Sequence, residues 1–241
     1  LNIEEEYLHR HAYHKIRIVD DLCQIVLESK VFGESSYASG VSKIINATYY
    51  NSLENRNYAI NEYIEKYPDL IQLIQNKVNL RSTKNFENAI LNCTGDYIFF
   101  ADQDDIWDFF KVEKIIAKFE GNNLLEGIFT NGKLIDDFNE TIPNTDMWDS
   151  FYFFEKNLDK PVDLLCLLKH HANMVTGATL CIKKSIRDII LPFPDLTKKK
   201  FFHDEWIALI LASRNSLDYI NENLISYRIH TSQQIGIGRK K

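Results

Sequence analysis

The stretch Gly95-Asp96-Tyr97-Ile98-Phe99-Phe100-Ala101-Asp102-Gln103-Asp104-Asp105-Ile106-Trp107 constrains this chain more than any other. Residues 97–101 are an unbroken apolar run of strand-forming side chains, and three carboxylates follow within four positions. A continuous apolar run reads as a strand buried on both faces, the pattern of a parallel sheet in an α/β protein. Open α/β sheets bind ligands outside the carboxyl ends of their strands, and Asp102, Asp104 and Asp105 fall at such an end. Carboxylates this close repel one another unless a cation joins them, and an oxygen donor set suits Mg²⁺ or Mn²⁺. Helix capping is the plainer explanation, since Asp108 and a helical pattern come next, but capping needs only one Asp.

The rest of the chain is consistent with one domain over 1–241. Its length supports a sizeable core, and a net charge of −6 argues against nucleic acid as a partner. Lys198-Lys199-Lys200 and Arg239-Lys240-Lys241 are short basic runs that either contact an anionic membrane surface peripherally or are solvated. The four cysteines are scattered without CxxC spacing, so they read as reduced, buried thiols rather than zinc ligands or disulfides. No apolar run has the length of a membrane span and no secretion signal is visible. The expected location is cytoplasmic, at the inner face of the membrane if the basic runs touch it. The first residue is Leu1, as in an excised part of a longer protein. The oligomeric state is not legible.

In order, residues 16–19 read as a short strand. Asp20-Asp21 then opens an apparent helix through Leu22, Ile25, Val26 and Ser29, or supplies a second acidic site. Residues 32–40 form a loop, 41–48 a strand and 53–67 a helix closed by Pro68. Residues 70–74 read as a strand, 76–83 as a loop, and 86–93 as a short helix leading into the central strand. This alternation predicts right-handed crossovers and a mixed, mostly parallel sheet flanked by helices. Val112, Ile115, Ile116 and Phe119 mark a helix with one apolar face, capped by Asp108 and ended by Gly121. Residues 127–134 are the next strand, and 136–160 look irregular. Trp148 and the aromatics 151–154 line a sugar site, a core or an oligomer contact equally well. A helix over 163–171 precedes a loop and strand over 176–182, whose small residues admit a ligand close to the backbone or merely relieve packing. A helix opens at Phe201-Phe202-His203-Asp204-Glu205-Trp206. Strands over 219–220 and 224–229 close the fold, and a mobile tail begins at residue 230.

Three of these segments together resemble family 2 glycosyltransferases, especially the rhamnosyl- and galactosyl-type enzymes of bacterial surface-glycan synthesis. Lys84-Asn85-Phe86 through Asp102-Gln103-Asp104-Asp105-Ile106-Trp107 is similar to the family's metal-binding signature. Residues 174–180 resemble its glycine-bearing sugar-pocket loop. His203-Asp204-Glu205-Trp206, with Tyr227-Arg228-Ile229-His230 and Ile235-Gly236, resembles its catalytic-base segment and closing loop. The resemblance covers roughly 41–238 and implies a GT-A-like single domain. It would use Mn²⁺ or Mg²⁺, a nucleotide-sugar donor and a glycan or glycoprotein acceptor. It makes Asp204 the base and Asp102, Asp104 and His230 the metal ligands. Tyr49, Tyr50, Lys84, Asp105 and Arg228 fall on the donor side, and Trp107, Gly177, His203 and Trp206 in the acceptor and sugar pocket.

The N-terminal part, 1–40, departs from the family. The paired acids that usually grip the nucleoside are absent where Tyr49-Tyr50-Asn51-Ser52 stands, and Asp20-Asp21 comes in the wrong order to replace them. Arg81 occupies a position where the family often has Gly, and Gln233 one where it often has Asn. A GT-A-like module that has lost donor binding and serves as a scaffold is therefore the alternative expectation. A nucleotidyltransferase shares the layout and metal, but the His203-Asp204 segment argues against it.

Overall fold

The computed structural model describes residues 14–19, 24–29, 65, 71–74, 80–102, 105–150, 163–170, 173–195 and 201–229. Its strands are β1 (His14–Val19), β2 (Gln24–Ser29), β3 (Ile71–Ile74), β4 (Tyr97–Ala101), β5 (Ile106–Trp107), β6 (Gly127–Ile135), β7 (Thr141–Asp146), β8 (Cys181–Lys183) and β9 (Leu217–Arg228). The flanking helices are α1 (Arg81–Asn92), α2 (Lys111–Gly121), α3 (Leu164–His170), α4 (Arg187–Ile190) and α5 (His203–Ser213). The strands make one sheet in the order β3-β1-β2-β4-β8-β6-β9-β5, with β7 added on β6.

The sheet is mixed, as the sequence implies, but its pairing is mostly antiparallel. Only β1–β3 and β6–β9 run parallel among the described strands. The central strand β4 lies antiparallel to both β2 and β8. Its apolar run records burial on both faces: Ile98, Phe99, Phe100 and Ala101 are all buried. Burial of both faces, and not strand direction, is what a continuous apolar run reports.

Other expectations shift for local reasons. The helix expected after Asp20-Asp21 is instead β2, which pairs with β1 from Val19↔Gln24 to His14↔Ser29. Only four residues separate the two strands, too few for a parallel crossover, and Ile25-Val26 is β-branched. The region 136–160 contains a strand, β7, paired to β6 across an irregular register. Trp148 belongs to the core, edge-on to Phe129 and Tyr219 at centroid distances of 5.7 Å each. The two short strands expected at the C-terminal side are one continuous β9. Asp108 does not cap α2. Its Oδ1 accepts from the Phe110 N–H at 2.9 Å, forming a turn before the helix. The elements expected over 41–48 and 53–67 and the tail from residue 230 lie outside the described residues.

Helix α1 buries Phe86, Ala89 and Ile90 at helical spacing, which carries its C-terminal end toward β4. It begins at Arg81 with φ of 59°, the left-handed region. The other three non-glycine residues there among the described residues are Asn139, Asn144 and Asn215, the type that tolerates it best. Arg81 thus meets a conformation that suits glycine. A left-handed non-glycine residue costs about 1–2 kcal/mol. Arg81→Gly should leave stability unchanged or raise it by up to about 1 kcal/mol, whereas Arg81→Val should lower it by about 1–2 kcal/mol. Urea denaturation of the two variants checks the sign of each.

Candidate functional site

The site is built around the first turn of α5 and the loop before β8. Asp204 is the second residue of α5, where backbone N–H groups and the helix dipole favour a negative charge. Its Oδ2 accepts the Gly177 N–H at 2.9 Å and its Oδ1 accepts the Glu205 N–H at 2.8 Å. Burial nevertheless pushes its carboxyl up to about 6; the two N–H donors oppose the shift and the Glu205 charge adds to it. Burial raises the Glu205 carboxyl as well.

His203, beside it, is buried and stacks on Phe86 at a ring distance of 3.8 Å, with Phe100 at 6.0 Å. Neither ring nitrogen has a hydrogen-bond partner among the described residues. Burial pulls the imidazole down to about 3, so it is neutral at physiological pH. A Cβ on Gly177 would approach His203 Nε2 to 2.8 Å, so the loop can pass His203 only as glycine.

That loop closes on itself as a 3₁₀ turn, Gly177–Thr179. Leu180 N–H donates to the Gly177 carbonyl at 2.9 Å, and Thr179 returns its N–H and hydroxyl to the Thr176 carbonyl. Phe100 N–H of β4 donates to the Leu180 carbonyl at 3.1 Å. Asp102, two residues beyond Phe100, therefore leaves the sheet beside the turn that holds Asp204.

The structure separates the expected site residues. Gly177, His203 and Asp204 come together as described. Asp102 follows β4 and remains partly exposed. Asp104, His230, Tyr49 and Tyr50 lie outside the described residues. Asp105 turns inward, 1% exposed, and its Oδ1 accepts the Arg228 backbone N–H at 3.0 Å. Arg228 directs its guanidinium to the Asp136 carbonyl at 2.7 Å and to Asn139 Oδ1 at 2.6 Å. Asp105 and Arg228 thus tie β5 and β9 to the β6–β7 turn.

Trp107 is buried against Phe99, with ring centroids 5.8 Å apart. Trp206 turns its indole N–H to the Ile190 carbonyl at 3.0 Å, at the end of α4. Lys84 pairs with Glu87 within α1 at 2.6 Å. Lys111 was not anticipated. It is wholly buried, with Nζ 2.6 Å from the Ala178 carbonyl and 4.1 Å from the Trp107 ring centroid. Its place on the apolar face of α2, four residues before Ile115, is the signal that could have found it.

A metal ion fits the chemistry of this edge in part. Asp102 offers a hard oxygen donor at a strand end, while Asp105 is committed elsewhere. Among the described residues no group of three or more potential ligands converges. No described helix is long and apolar enough to cross a membrane.

These features define an α/β protein with its polar chemistry gathered at the end of the central strand. Residues 51–187, more than half of the chain, match the family model "Glycosyl transferase family 2", and the chain belongs to that family. The mixed sheet with flanking helices is the GT-A-like architecture that membership implies.

EpsE of Bacillus subtilis (strain 168), named as a glycosyltransferase, is 28% identical over 114 residues, covering 44% of this chain and 41% of EpsE. The chain thus spans less than half the length of this curated relative. Among solved structures, S. aureus TarS 1–349 overlaps 70% of this chain and 47% of its own, at 14% identity and a TM-score of 0.47. The mannosyltransferase PcManGT from Pyrobaculum calidifontis, in complex with GDP-Man and Mn²⁺, overlaps 71% of this chain and 43% of its own, at 14% identity and a TM-score of 0.46. The family match carries the assignment.

The stack behind His203 leaves its ring no room to retreat from a side chain at 177. Gly177→Ala should therefore cost about 1–3 kcal/mol in urea denaturation, the usual range for overpacking. In a His203→Ala background the same change should cost less by at least about 0.5 kcal/mol, the coupling expected of residues in contact.

Proposed function

We propose that this chain is the catalytic domain of an inverting glycosyltransferase that moves a sugar from a nucleotide-sugar donor to a hydroxyl of a glycan or glycoprotein acceptor. The observation that carries the reading is Asp204: a carboxylate with its pKa raised to about 6, fixed by the Gly177 N–H at 2.9 Å. A general base works best when its pKa lies near the working pH, and burial tunes Asp204 in that direction.

In the reaction, the acceptor hydroxyl oxygen bonds to the anomeric carbon as that carbon's bond to the diphosphate breaks. The hydroxyl proton passes to Asp204, and the bonding pair leaves with the nucleoside diphosphate. The two backbone donors hold the carboxylate in one orientation and leave it further lone pairs for the proton. The neutral His203 beside it is buried against Gly177, and the two together would form a wall of the sugar pocket.

A bound Mn²⁺ or Mg²⁺ would neutralise charge on the leaving diphosphate. Asp102 would hold it, together with Asp104 and His230. Tyr49 and Tyr50 would supply a stacking platform for the base, where the family's paired acids are missing. Lys84, ion-paired but half exposed, can reach a donor phosphate only by leaving Glu87. The family resemblance favours a role in bacterial surface-glycan synthesis, with the basic runs making a peripheral contact at the cytoplasmic face of the membrane.

A panel of nucleotide sugars, assayed for hydrolysis and transfer with and without Mn²⁺, tests the reading. Mn²⁺-dependent turnover of at least one donor is expected, and Asp104→Ala should abolish it. A chain that binds no donor at all would instead be the scaffold module. Within the enzyme, Asp204→Asn should lower transfer by at least about a hundredfold, within the range general-base catalysis contributes, while Glu205→Gln stays nearly active.

The Asp204→Asn variant should remain folded. A carboxyl whose folded pKa is raised contributes stability below its unfolded pKa and loses it as pH rises through about 6. Removing that charge relieves the burial cost at pH 8 but leaves one oxygen for the two backbone N–H donors, so a thermal melt beside the kinetics separates lost chemistry from lost fold. A dead Glu205→Gln would move the base by one residue.

A further inference from the structure

Lys111 is an expensive residue in its position. It lies on the apolar face of α2 with Val112, Ile115, Ile116 and Phe119, and it is 0% exposed. Burying an amine there carries a desolvation penalty that an apolar side chain would avoid. Burial pulls its pKa down to about 7, against the opposing pull of Asp105, Cys181 and Asp102. What the side chain gains is one short contact, 2.6 Å from Nζ to the Ala178 carbonyl, and a place over the Trp107 ring.

That contact falls at the middle of the turn carrying Gly177. The turn's other bonds, Thr179 to Thr176 and Leu180 to Gly177, are internal and do not locate it in the molecule. Three described bonds reach outward from it: Leu180 to Phe100 on β4, Ala178 to Lys111 on α2, and Gly177 to Asp204 on α5. They come from three different elements and leave from almost successive residues. The bond on β4 fixes the Leu180 end of the turn, and its middle is bonded to α2 through Lys111. The Lys111 bond adds a second anchor, and the ring of Trp107 beneath Nζ joins the same side chain to β5, just past the acidic segment.

We propose that Lys111 is a positioning residue for transfer: by holding the Ala178 carbonyl it sets the Gly177 N–H on the Asp204 carboxylate and fixes that carboxylate relative to the acidic segment after β4. This rests on the reading of Asp204 as the base. Lys111 touches neither donor nor acceptor; it acts through the turn.

The test uses the full chain with Lys111→Met and Lys111→Arg, each checked for folding by circular dichroism. The Asp204 carboxyl is titrated by ¹³C NMR, assigned against Asp204→Asn, and kcat and donor KM are measured in parallel. Freeing Gly177 takes an N–H donor from the carboxylate, which favours the protonated form. In Lys111→Met the Asp204 midpoint should therefore rise further above about 6. Glu205, the charged neighbour that raises it, and the neutral His203 are unchanged.

Alongside, kcat should fall by at least about tenfold with donor KM within about threefold, the split expected when the reacting geometry and not ground-state binding is lost. Lys111→Arg keeps a donor for Ala178 and should show the same changes in smaller measure. A folded Lys111→Met with an unmoved Asp204 midpoint overturns the proposal, whether kcat is normal or reduced, since reduced activity alone would be packing damage. If Lys111→Met does not fold, Lys111→Arg is judged by the same midpoint: displacement supports the proposal and an unmoved value overturns it. A wild-type chain that turns over no nucleotide sugar would remove the glycosyltransferase reading, while the titration would still decide whether Lys111 positions Gly177 on Asp204.

Discussion

One hydrogen bond organises the candidate site: the Gly177 N–H on the Asp204 carboxylate. It joins residues 27 positions apart and brings a loop between α3 and β8 onto the first turn of α5. Each neighbour is constrained by it. Residue 177 must be glycine because His203 occupies the space a Cβ needs. His203 cannot yield because Phe86 of α1 and Phe100 of β4 lie against it. The loop cannot drift because Leu180 is bonded to β4 and Ala178 to Lys111. The carboxylate is thus held by rigid elements and removed far enough from water to lift its pKa, a combination that flexible surface loops do not supply.

The elements with strong apolar signals were legible. Strands β4 and β6 and helices α2 and α5 fall within a residue or two of their expected places, because each buries a continuous or periodic apolar face. Strand direction was not legible. Residues 97–101 are apolar whether their neighbours run parallel or antiparallel, and burial on both faces is all the run encodes. The short β2 reads as a helix because Leu22, Ile25, Val26 and Ser29 satisfy helical spacing, while Ile25-Val26-Leu27 is a short apolar run that suits a strand as well. Only the pairing with β1 and β4 decides between them. Strand β7 carries Pro143 and mostly exposed side chains, so its existence depends on β6 and not on its own composition.

In the site, residue type guided the reading well and side-chain direction poorly. His203, Asp204 and Gly177 could be grouped because their segments resemble the family's base segment and glycine-bearing loop. Asp105 and Trp107 belong to the same acidic segment as Asp102, yet they point inward, one to the Arg228 backbone and the other into the core. An acidic cluster does not reveal which of its members face the sheet's interior. Lys111 was passed over because a lysine on a helix is ordinarily exposed; only its position on the apolar stripe distinguishes it.

The central claim is that Asp204, with its pKa lifted by burial, takes the proton from the acceptor. Its most direct measurement is the pH dependence of kcat for the wild-type chain at saturating donor and acceptor. Only the carboxylate form accepts the proton, so kcat should hold level above about pH 7 and fall as pH drops through about 6, approaching tenfold per unit below that. A profile that stays flat from about pH 5 to 8, or breaks only near the ordinary aspartate value of about 4, would contradict the account.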